Sequence, residues 1–231
     1  MANLCRRATN FLAGAAALAA VAAAGCGSED PGTGGLGGEG RLLPLVVGAT
    51  WTYRITDPFT GTISDKSSTV EQLEPVGDRK PGVMALRVRT EKIDGLTISW
   101  QEDTGTSIVR HREQSINRAG AVTSEEWYAP PKLRIDDTTP RTTPGATWTE
   151  VHTETEIKAN GIMSTKEKSD VWTIERVEEV TVPAGTFQTL RVRRADSDGT
   201  GGAKTYWFAR GIGKVKETGG QTEELVSHAI P

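Results

Sequence analysis

The chain has 231 residues, of which 36% are hydrophobic and 25% charged, and its net charge is −3 at pH 7. This length suits one domain, or two small halves that pack closely together. The mildly acidic balance argues against a binding surface for nucleic acid or for anionic lipid headgroups, since both select basic proteins.

The first 25 residues have the organisation of a secretory signal. Arg6 and Arg7 precede an apolar stretch that runs from Phe11 to Gly25, directly before Cys26. A basic head, an apolar middle and a small-residue cleavage region are typical of an export signal and not of a transmembrane helix. The alternative is an ordinary secreted protein that is cleaved at a neighbouring alanine, in which Cys26 has no role.

The segment Ala24-Gly25-Cys26 resembles the lipobox of bacterial lipoproteins, with Ala23 where the box usually has leucine. The resemblance implies cleavage before Cys26, a diacylglyceryl thioether on the Cys26 sulfur and acylation of the new amino terminus. It also implies a location in a bacterial cell envelope, anchored by lipid to a membrane. We favour the periplasmic side of the outer membrane over the inner membrane.

Removal of residues 1–25 from the 231 would leave 206 residues. Two arginines and no acid leave with them, which changes the net charge from −3 to −5. Cys5 also leaves, so the remaining domain has no cysteine besides Cys26. We therefore expect core packing, and not a disulfide, to hold the fold.

Residues 26–40 are predicted to be a flexible tether between the lipidated Cys26 and the domain. Half of the segment 27–40 is glycine, and it shows no apolar periodicity. Such a linker has a root-mean-square span of about 20 Å.

The remainder, residues 41–231, shows strong internal similarity. Gly48–Thr52 recurs without change as Gly145–Thr149. Further matches follow in the same order: 70–76 with 174–180, Leu86–Arg89 with Leu190–Arg193, and 98–100 with 205–207. These matches predict one domain of two duplicated halves, 41–139 and 140–231. Convergence of strand-rich sequences on similar patterns is the alternative.

The local pattern from Leu42 onward is strand and turn. Trp51, Tyr53 and Ile55 alternate with polar residues, which is the period of a half-buried strand. Turn residues recur at short spacing: Asp94-Gly95, Asn160-Gly161, Pro183-Ala184-Gly185 and Asp198-Gly199. Together these patterns predict an all-β fold of about ten to twelve antiparallel strands.

A sheet of this size must close or curl to hide its edges. The two halves therefore predict a curved sheet, an open barrel or a sandwich, each with an apolar concave face. The sequence does not decide among these three.

Six tryptophans are the main candidates for an aromatic binding groove. Trp51 and Trp148, like Trp100 and Trp207, occupy equivalent repeat positions, which favours core packing for these four. The pair Trp127-Tyr128 is different, because it precedes Ala129-Pro130-Pro131, which we interpret as a stiff connection between the halves. Trp127 and Tyr128 are therefore the predicted ligand or partner contact if an aromatic pair is exposed.

Four arginines, Arg87, Arg89, Arg191 and Arg193, lie on matching strand faces of the two repeats. We interpret them as a solvated face that pairs with Glu71, Glu74, Glu175 and Glu178. The alternative is that they line a lumen and bind an anionic headgroup.

No catalytic, metal or cofactor site is predicted. His111, His152 and His228 are scattered without ligand spacing, and no Gly-x-Ser-x-Gly motif occurs. The paired acids are sequence neighbours, so on a strand they point to opposite faces and cannot act as an acid–base pair.

The second half carries Val182–Phe187 and the run Tyr206–Lys216, a pattern that resembles exported bacterial proteins of unknown function. These are more distantly similar to lipoprotein carriers of the LolA/LolB type, whose curved sheets hold acyl chains. The resemblance implies an envelope β domain and no catalytic residue.

The sequence thus favours a non-catalytic, lipid-anchored envelope protein that binds or scaffolds an envelope protein at the membrane surface. The alternative is a carrier or sensor of an apolar or acyl ligand, held in the concavity of a curved sheet. A hydrolase is the third hypothesis, and nucleic acid is not an expected partner.

Overall fold

The computed structural model describes residues 36–197 and 201–231. The predicted signal, Cys26 and the first part of the predicted tether lie outside these ranges, as does the predicted turn at Asp198-Gly199.

Within the described ranges the chain forms twelve strands and one short 3-10 helix at Thr139–Arg141. The strands of the first half are β1 (Thr50–Thr56), β2 (Ile63–Pro75), β3 (Met84–Lys92), β4 (Gly95–Asp103), β5 (Ser107–Asn117) and β6 (Val122–Asp136). Those of the second half are β7 (Thr147–Lys158), β8 (Met163–Val182), β9 (Gly185–Asp196), β10 (Lys204–Ala209), β11 (Gly213–Gly219) and β12 (Gln221–Ala229).

The strands form one closed antiparallel barrel in which each strand pairs with its neighbours in the chain. Closure occurs where β1 pairs with β12, with Trp51 opposite His228, while the other edge of β1 pairs with β2. The prediction of an all-β antiparallel fold is confirmed. The sheet is curved and closes into a barrel, so none of the described strands lies wholly at the edge of a sheet.

The two matched Gly-Ala-Thr-Trp-Thr segments start β1 and β7 with the same backbone bonds. Gly48 N donates to Val70 O, and Gly145 N donates to Ile174 O. Both glycines have a φ of 89°, a left-handed conformation that favours glycine. The identical segments therefore make identical connections to β2 and to β8.

The correspondence continues along the strands. Val70 lies opposite Val88 in β2–β3, as Ile174 lies opposite Val192 in β8–β9, and a bulge follows at the same place in both pairs. Trp100 donates to Glu74 at 2.8 Å on the outer face, and Trp207 donates to Glu178 at 2.7 Å. Leu86 and Leu190 thus occupy equivalent positions, although the duplication itself stays a prediction.

The main apolar core fills one end of the barrel. Leu42 and Leu45, from the segment before β1, are buried there against Trp51, Ile174 and other inward residues. The β8–β9 hairpin packs on the same end, where Ala184 N donates to Leu225 O. This end of the barrel is therefore covered by its own chain.

The last residues of the predicted tether also lie against the barrel. Leu36 packs on the main core, and the guanidinium of Arg210 donates to Gly40 O at 3.1 Å. Residues 36–40 therefore contact the barrel, and the flexibility of the tether stays a prediction.

Three of the four repeat tryptophans are buried, as predicted: Trp51, Trp100 and Trp207. Trp148 is only half-buried. It precedes the part of β7 that pairs with β6, since that pairing begins at Thr153. At Trp148, β7 therefore pairs only with β8, and the Trp148 ring stacks on Trp172 of that strand.

Candidate ligand site in the barrel lumen

The interior of the barrel, here called the lumen, contains a cavity of about 340 Å³. Every strand except β7 contributes to its described lining, together with Leu43 and Leu45. The wall includes Trp51, Val70, Val88 and Phe208, but most of the lining residues are polar or charged. The predicted apolar concave face is therefore apolar only in part.

The cavity exists because the two halves place residues of different size at equivalent positions. Ser68 and Thr90, beside Val70 and Val88, correspond to Trp172 and Arg194, beside Ile174 and Val192. Ser99, before Trp100, corresponds to Tyr206, before Trp207. The first half thus leaves room that the second half fills.

The large residues of the second half form a layered group, here called the lumen stack: Trp172, Arg194 and Tyr206. The rings of Trp172 and Tyr206 lie nearly parallel, with centroids 6.3 Å apart. The guanidinium carbon of Arg194 lies 5.7 Å from the centre of each ring. An aromatic wall with a cation therefore faces the small residues Ser68, Thr90 and Ser99.

One group of charges in the lumen consists of three lysines and two carboxylates that contact one another. Lys214 Nζ donates to Glu223 at 2.6 Å and also contacts Glu217. Lys66 pairs with Glu223, and Lys204 donates to Glu217 at 2.8 Å. Each carboxylate therefore contacts two lysines.

Burial and the neighbouring charges shift the pKa values of the ionisable side chains in this group. The neighbouring lysines hold the pKa of Glu217 and Glu223 well below the ordinary range, although burial opposes this. Burial lowers the pKa of Lys66 to about 7, and the positive charge of Lys214 acts in the same direction. Burial raises the pKa of Tyr53, whose hydroxyl donates to Lys214 O at 3.0 Å.

A second group of charges has an excess of cations. We call it the cationic group, and its members are Arg110, Lys132, Arg134 and Arg194, all of which line the cavity. Arg110 lies directly opposite Lys132 in the β5–β6 register. Like charges that face each other across strands destabilise a sheet.

Carboxylates pair with three members of the cationic group. Glu113 pairs with Arg110, Glu154 lies 3.5 Å from Lys132, and Asp170 lies 3.9 Å from Arg194.

Arg134 has no ion-pair partner among the residues that the structure describes. Its Nε is inaccessible to solvent and makes no hydrogen bond in the described ranges. Burial, and then the charges of Arg110 and Arg194, lower the pKa of Arg134 to about 10. Arg134 is therefore a partly buried cation near Arg110, Arg194 and Glu113, without an ion-pair partner among the described residues.

The structure does not expose the aromatic pair that the sequence singled out. Trp127 and Tyr128 are only 7% and 1% exposed, so this pair does not meet the condition of exposure on which its predicted contact role depended. The segment Ala129-Pro130-Pro131 is not a connection between halves, because it lies within β6. Any role of this pair as a ligand or partner contact stays a prediction.

Trp127 and Tyr128 point to opposite faces of β6. Trp127 packs outside the barrel with Trp100, and the Arg112 guanidinium carbon lies 4.7 Å and 4.1 Å from the centres of these two rings. The Tyr128 ring contacts His152 edge-on, with centroids 5.7 Å apart.

The paired arginines lie where the sequence places them. Arg87 pairs with Glu71, and Arg191 pairs with Glu175, on the outer face that also carries Trp100 and Trp207. The solvated-face interpretation is confirmed for these two pairs.

The histidines lie apart from one another. His111 contacts Glu102 at 2.7 Å, His152 lies beside Tyr128, and His228 contacts Phe187. No group of three or more potential metal ligands occurs in the described part of the chain. Cys26, the predicted lipidation site, lies outside the described residues.

The charged lumen residues were missed by the sequence analysis, although a signal for them exists. Lys132 and Arg134 alternate with Leu133 and Ile135 along β6, and such alternation is ordinarily assigned to a solvated face. In a closed barrel that face can be the inner one. The alternation shows that Lys132 and Arg134 share one face of β6. Only the closure of the sheet into a barrel shows that this face lines a cavity.

No family model matches the chain, and no curated protein sequence matches it. Among solved structures, a candidate exported protein with a YmcC-like fold from Bacteroides fragilis is 13% identical, with a TM-score of 0.47 over 81% of this chain and 98% of that chain. A candidate lipoprotein from Parabacteroides distasonis is 11% identical, with a TM-score of 0.38 and the same coverage. Both scores are too low for these similarities to carry an argument.

In the described ranges, no helix is long and apolar enough to cross a membrane.

Proposed function

We propose that this chain is a non-catalytic, lipid-anchored protein of the bacterial cell envelope that binds a small ligand inside its barrel. The observation that carries the binding role is the lumen cavity of about 340 Å³. Small-molecule sites are typically concave and of about 300–1,000 Å³, with an apolar wall and a few convergent polar groups. The lumen has both components, in the lumen stack and the cationic group.

The anchor rests on the sequence. The export signal followed by Cys26 supports lipidation, because the small residues Ala24-Gly25 directly precede the cysteine. A lipid on Cys26 would hold the barrel at a membrane surface while the lumen binds its ligand.

The carboxylates Glu217 and Glu223 favour binding over general acid catalysis, although the pKa of Lys66, at about 7, lies in the range of a general base. Glu217 and Glu223 contact Lys66, Lys204 and Lys214, and these lysines keep both carboxylates ionised by lowering their pKa values. A general acid needs a pKa near the working pH. Carboxylates with lowered pKa values serve as fixed counter-charges instead.

An acyl carrier is less well supported than a binder of a polar or amphipathic ligand. The lining contains eight cationic and three anionic side chains. Burying a wholly apolar chain against these groups would remove their water without supplying hydrogen bonds, which is costly.

A variant that fills the lumen tests the binding role. Ser68→Phe puts an aromatic ring where the second half has Trp172, whereas Ser67→Phe puts the same ring on the opposite face of β2. The chain from residue 26 with Cys26→Ser keeps every described residue and avoids detergent. Fluorescence titration with anilinonaphthalene sulfonate and with its uncharged analogue N-phenylnaphthylamine measures occupancy.

We expect at least one of the two dyes to bind with a single saturable site. Ser68→Phe should weaken that binding by about tenfold or more, and Ser67→Phe should leave it unchanged. If neither dye binds, or if Ser68→Phe binds as the wild type does, the lumen is not a ligand site.

A further inference from the structure

One member of the cationic group, Arg134, lacks a counter-charge among the described residues, and this bears on the charge of the ligand. Among the four members, Arg134 contacts no carboxylate in the part of the chain that the structure describes, and its Nε is buried without a partner. A charge that is held away from bulk water without a counter-charge is destabilising. A fold that retains such a group gains when an anion enters the cavity.

The neighbours of Arg134 increase this effect. Arg110 and Lys132 face each other across β5 and β6, and Arg194 completes the group from β9. Asp170 and Glu154 pair with Arg194 and Lys132, but neither approaches Arg134 within ion-pair distance. The four cations and the three carboxylates that pair with them, Glu113, Glu154 and Asp170, leave a net charge of +1 at this part of the lumen.

The lumen stack lies beside the cationic group, because Arg194 belongs to both. The flat faces of Trp172 and Tyr206 offer an apolar surface of the kind on which a planar ring packs. The opposite wall, with Ser68, Thr90 and Ser99, is small and polar.

We propose that the lumen binds an organic anion, with its carboxylate, sulfonate or phosphate group held by Arg134 and the other members of the cationic group, and with its planar or apolar part against Trp172 and Tyr206. This inference rests on the proposed binding function and adds the chemical class of the ligand. Arg134 provides the fork of parallel N–H donors that fits an oxyanion, which explains an arginine at this position in place of a lysine.

The two dyes test the class of ligand directly, because they differ by one sulfonate. We expect anilinonaphthalene sulfonate to bind about tenfold or more tightly than N-phenylnaphthylamine in the wild type, since a charge-assisted bidentate bond contributes about that factor. Equal affinities would overturn the anion site while leaving lumen binding intact. Absence of binding by both dyes would instead overturn the proposed function.

The variant Arg134→Met assigns the anion to this residue. It should remove most of the preference for the sulfonate, measured as the ratio of the affinities for the two dyes. The matched control is Arg89→Met, whose arginine pairs with Glu91 and lies outside the lumen lining. A sulfonate preference that survives in Arg134→Met, or one that falls equally in Arg89→Met, would contradict the assignment.

Folding of the variants is checked by thermal unfolding without ligand. Because Arg134 is repelled by Arg110 and Arg194, Arg134→Met should unfold at the wild-type temperature or above it. Lys132→Met provides a second variant and should also reduce the sulfonate preference.

Millimolar inorganic phosphate separates an organic from an inorganic anion. We expect it to compete only weakly with the sulfonate dye, because phosphate makes no contact with Trp172 or Tyr206. Complete displacement would show a site for inorganic anions and would contradict the role of the aromatic wall.

Discussion

His152 is a buried histidine whose surroundings oppose its protonation. It is 3% exposed, and its Nε2 has no hydrogen-bond partner among the described residues. Burial lowers its pKa to about 4, Lys132 and Arg194 act in the same direction, and Asp170 opposes them. In the unfolded chain the pKa of a histidine is about 6.5.

We predict that this difference makes the wild type lose stability as the pH falls from about 6.5 to 4. In that range the unfolded state binds a proton that the native state does not, so protons favour unfolding. Each unit of pKa difference corresponds to about 1.4 kcal/mol of unfolding free energy. Because water screens the neighbouring charges, we expect the whole pKa difference of His152 to contribute about 2 kcal/mol.

The measurement is urea unfolding of wild type and His152→Gln at several pH values. The wild type should lose about 2 kcal/mol more than His152→Gln between pH 6.5 and 4. Parallel curves for the two proteins would show that His152 titrates normally in the fold.

Single residues were predicted well where local pattern decides and poorly where the barrel decides. Trp51, Trp100 and Trp207 are buried as their repeat positions indicate. The burial of Trp127 was not predicted, because the packing of Arg112 between Trp127 and Trp100 joins residues from β4, β5 and β6. No local pattern reports such a contact.

At the scale of the strands, the β3–β4 hairpin depends on Gly95. Its φ is 148°, and a Cβ at this position would lie 2.1 Å from Ile116 O on the neighbouring strand β5. By contrast, Gly120 in the β5–β6 turn also has a positive φ, but a Cβ there would meet nothing within 4 Å.

We predict that Gly95→Ala lowers the free energy of unfolding by about 3 kcal/mol or more, because strain at φ and a backbone clash act together. Gly120→Ala carries the φ strain alone and should cost about 1 kcal/mol. Chemical denaturation of both variants measures the difference. Equal losses would mean that the backbone of β5 moves to accept the methyl group.

The hairpins are the elements that the sequence predicted best. Asp94-Gly95, Asn160-Gly161 and Pro183-Ala184-Gly185 each lie at the connection between two successive strands. The span of β6 was not predicted, because Pro130-Pro131 interrupts the usual strand pattern. At these prolines the pairing with both neighbours lapses, so their missing N–H groups break no ladder bond.

At the scale of the whole molecule, the closing contact could not be read from the sequence. β1 and β12 lie at opposite ends of the domain, and nothing in either strand specifies the other as its partner. Net charge was also uninformative, since the chain is acidic as a whole while its cavity lining has eight cations and three anions. An average over the chain does not show how charge divides between the surface and the lumen.

The proposed anchor gives a prediction for the full-length protein in its host. Cys26→Ala should abolish membrane association and leave unprocessed precursor, because the lipid is the proposed means of attachment. Membrane fractionation with mass spectrometry of the amino terminus measures both effects. An unmodified mature terminus at another residue would contradict lipidation of Cys26.

The most direct test of the central claim, that the barrel lumen holds an organic anion, is a crystal structure of the chain from residue 26 with anilinonaphthalene sulfonate bound. We predict that the sulfonate lies within hydrogen-bond distance of the Arg134 guanidinium, with the naphthyl ring against Trp172 and Tyr206. A dye bound only on the outer surface, or a lumen in which the sulfonate points away from Arg134, would contradict the account.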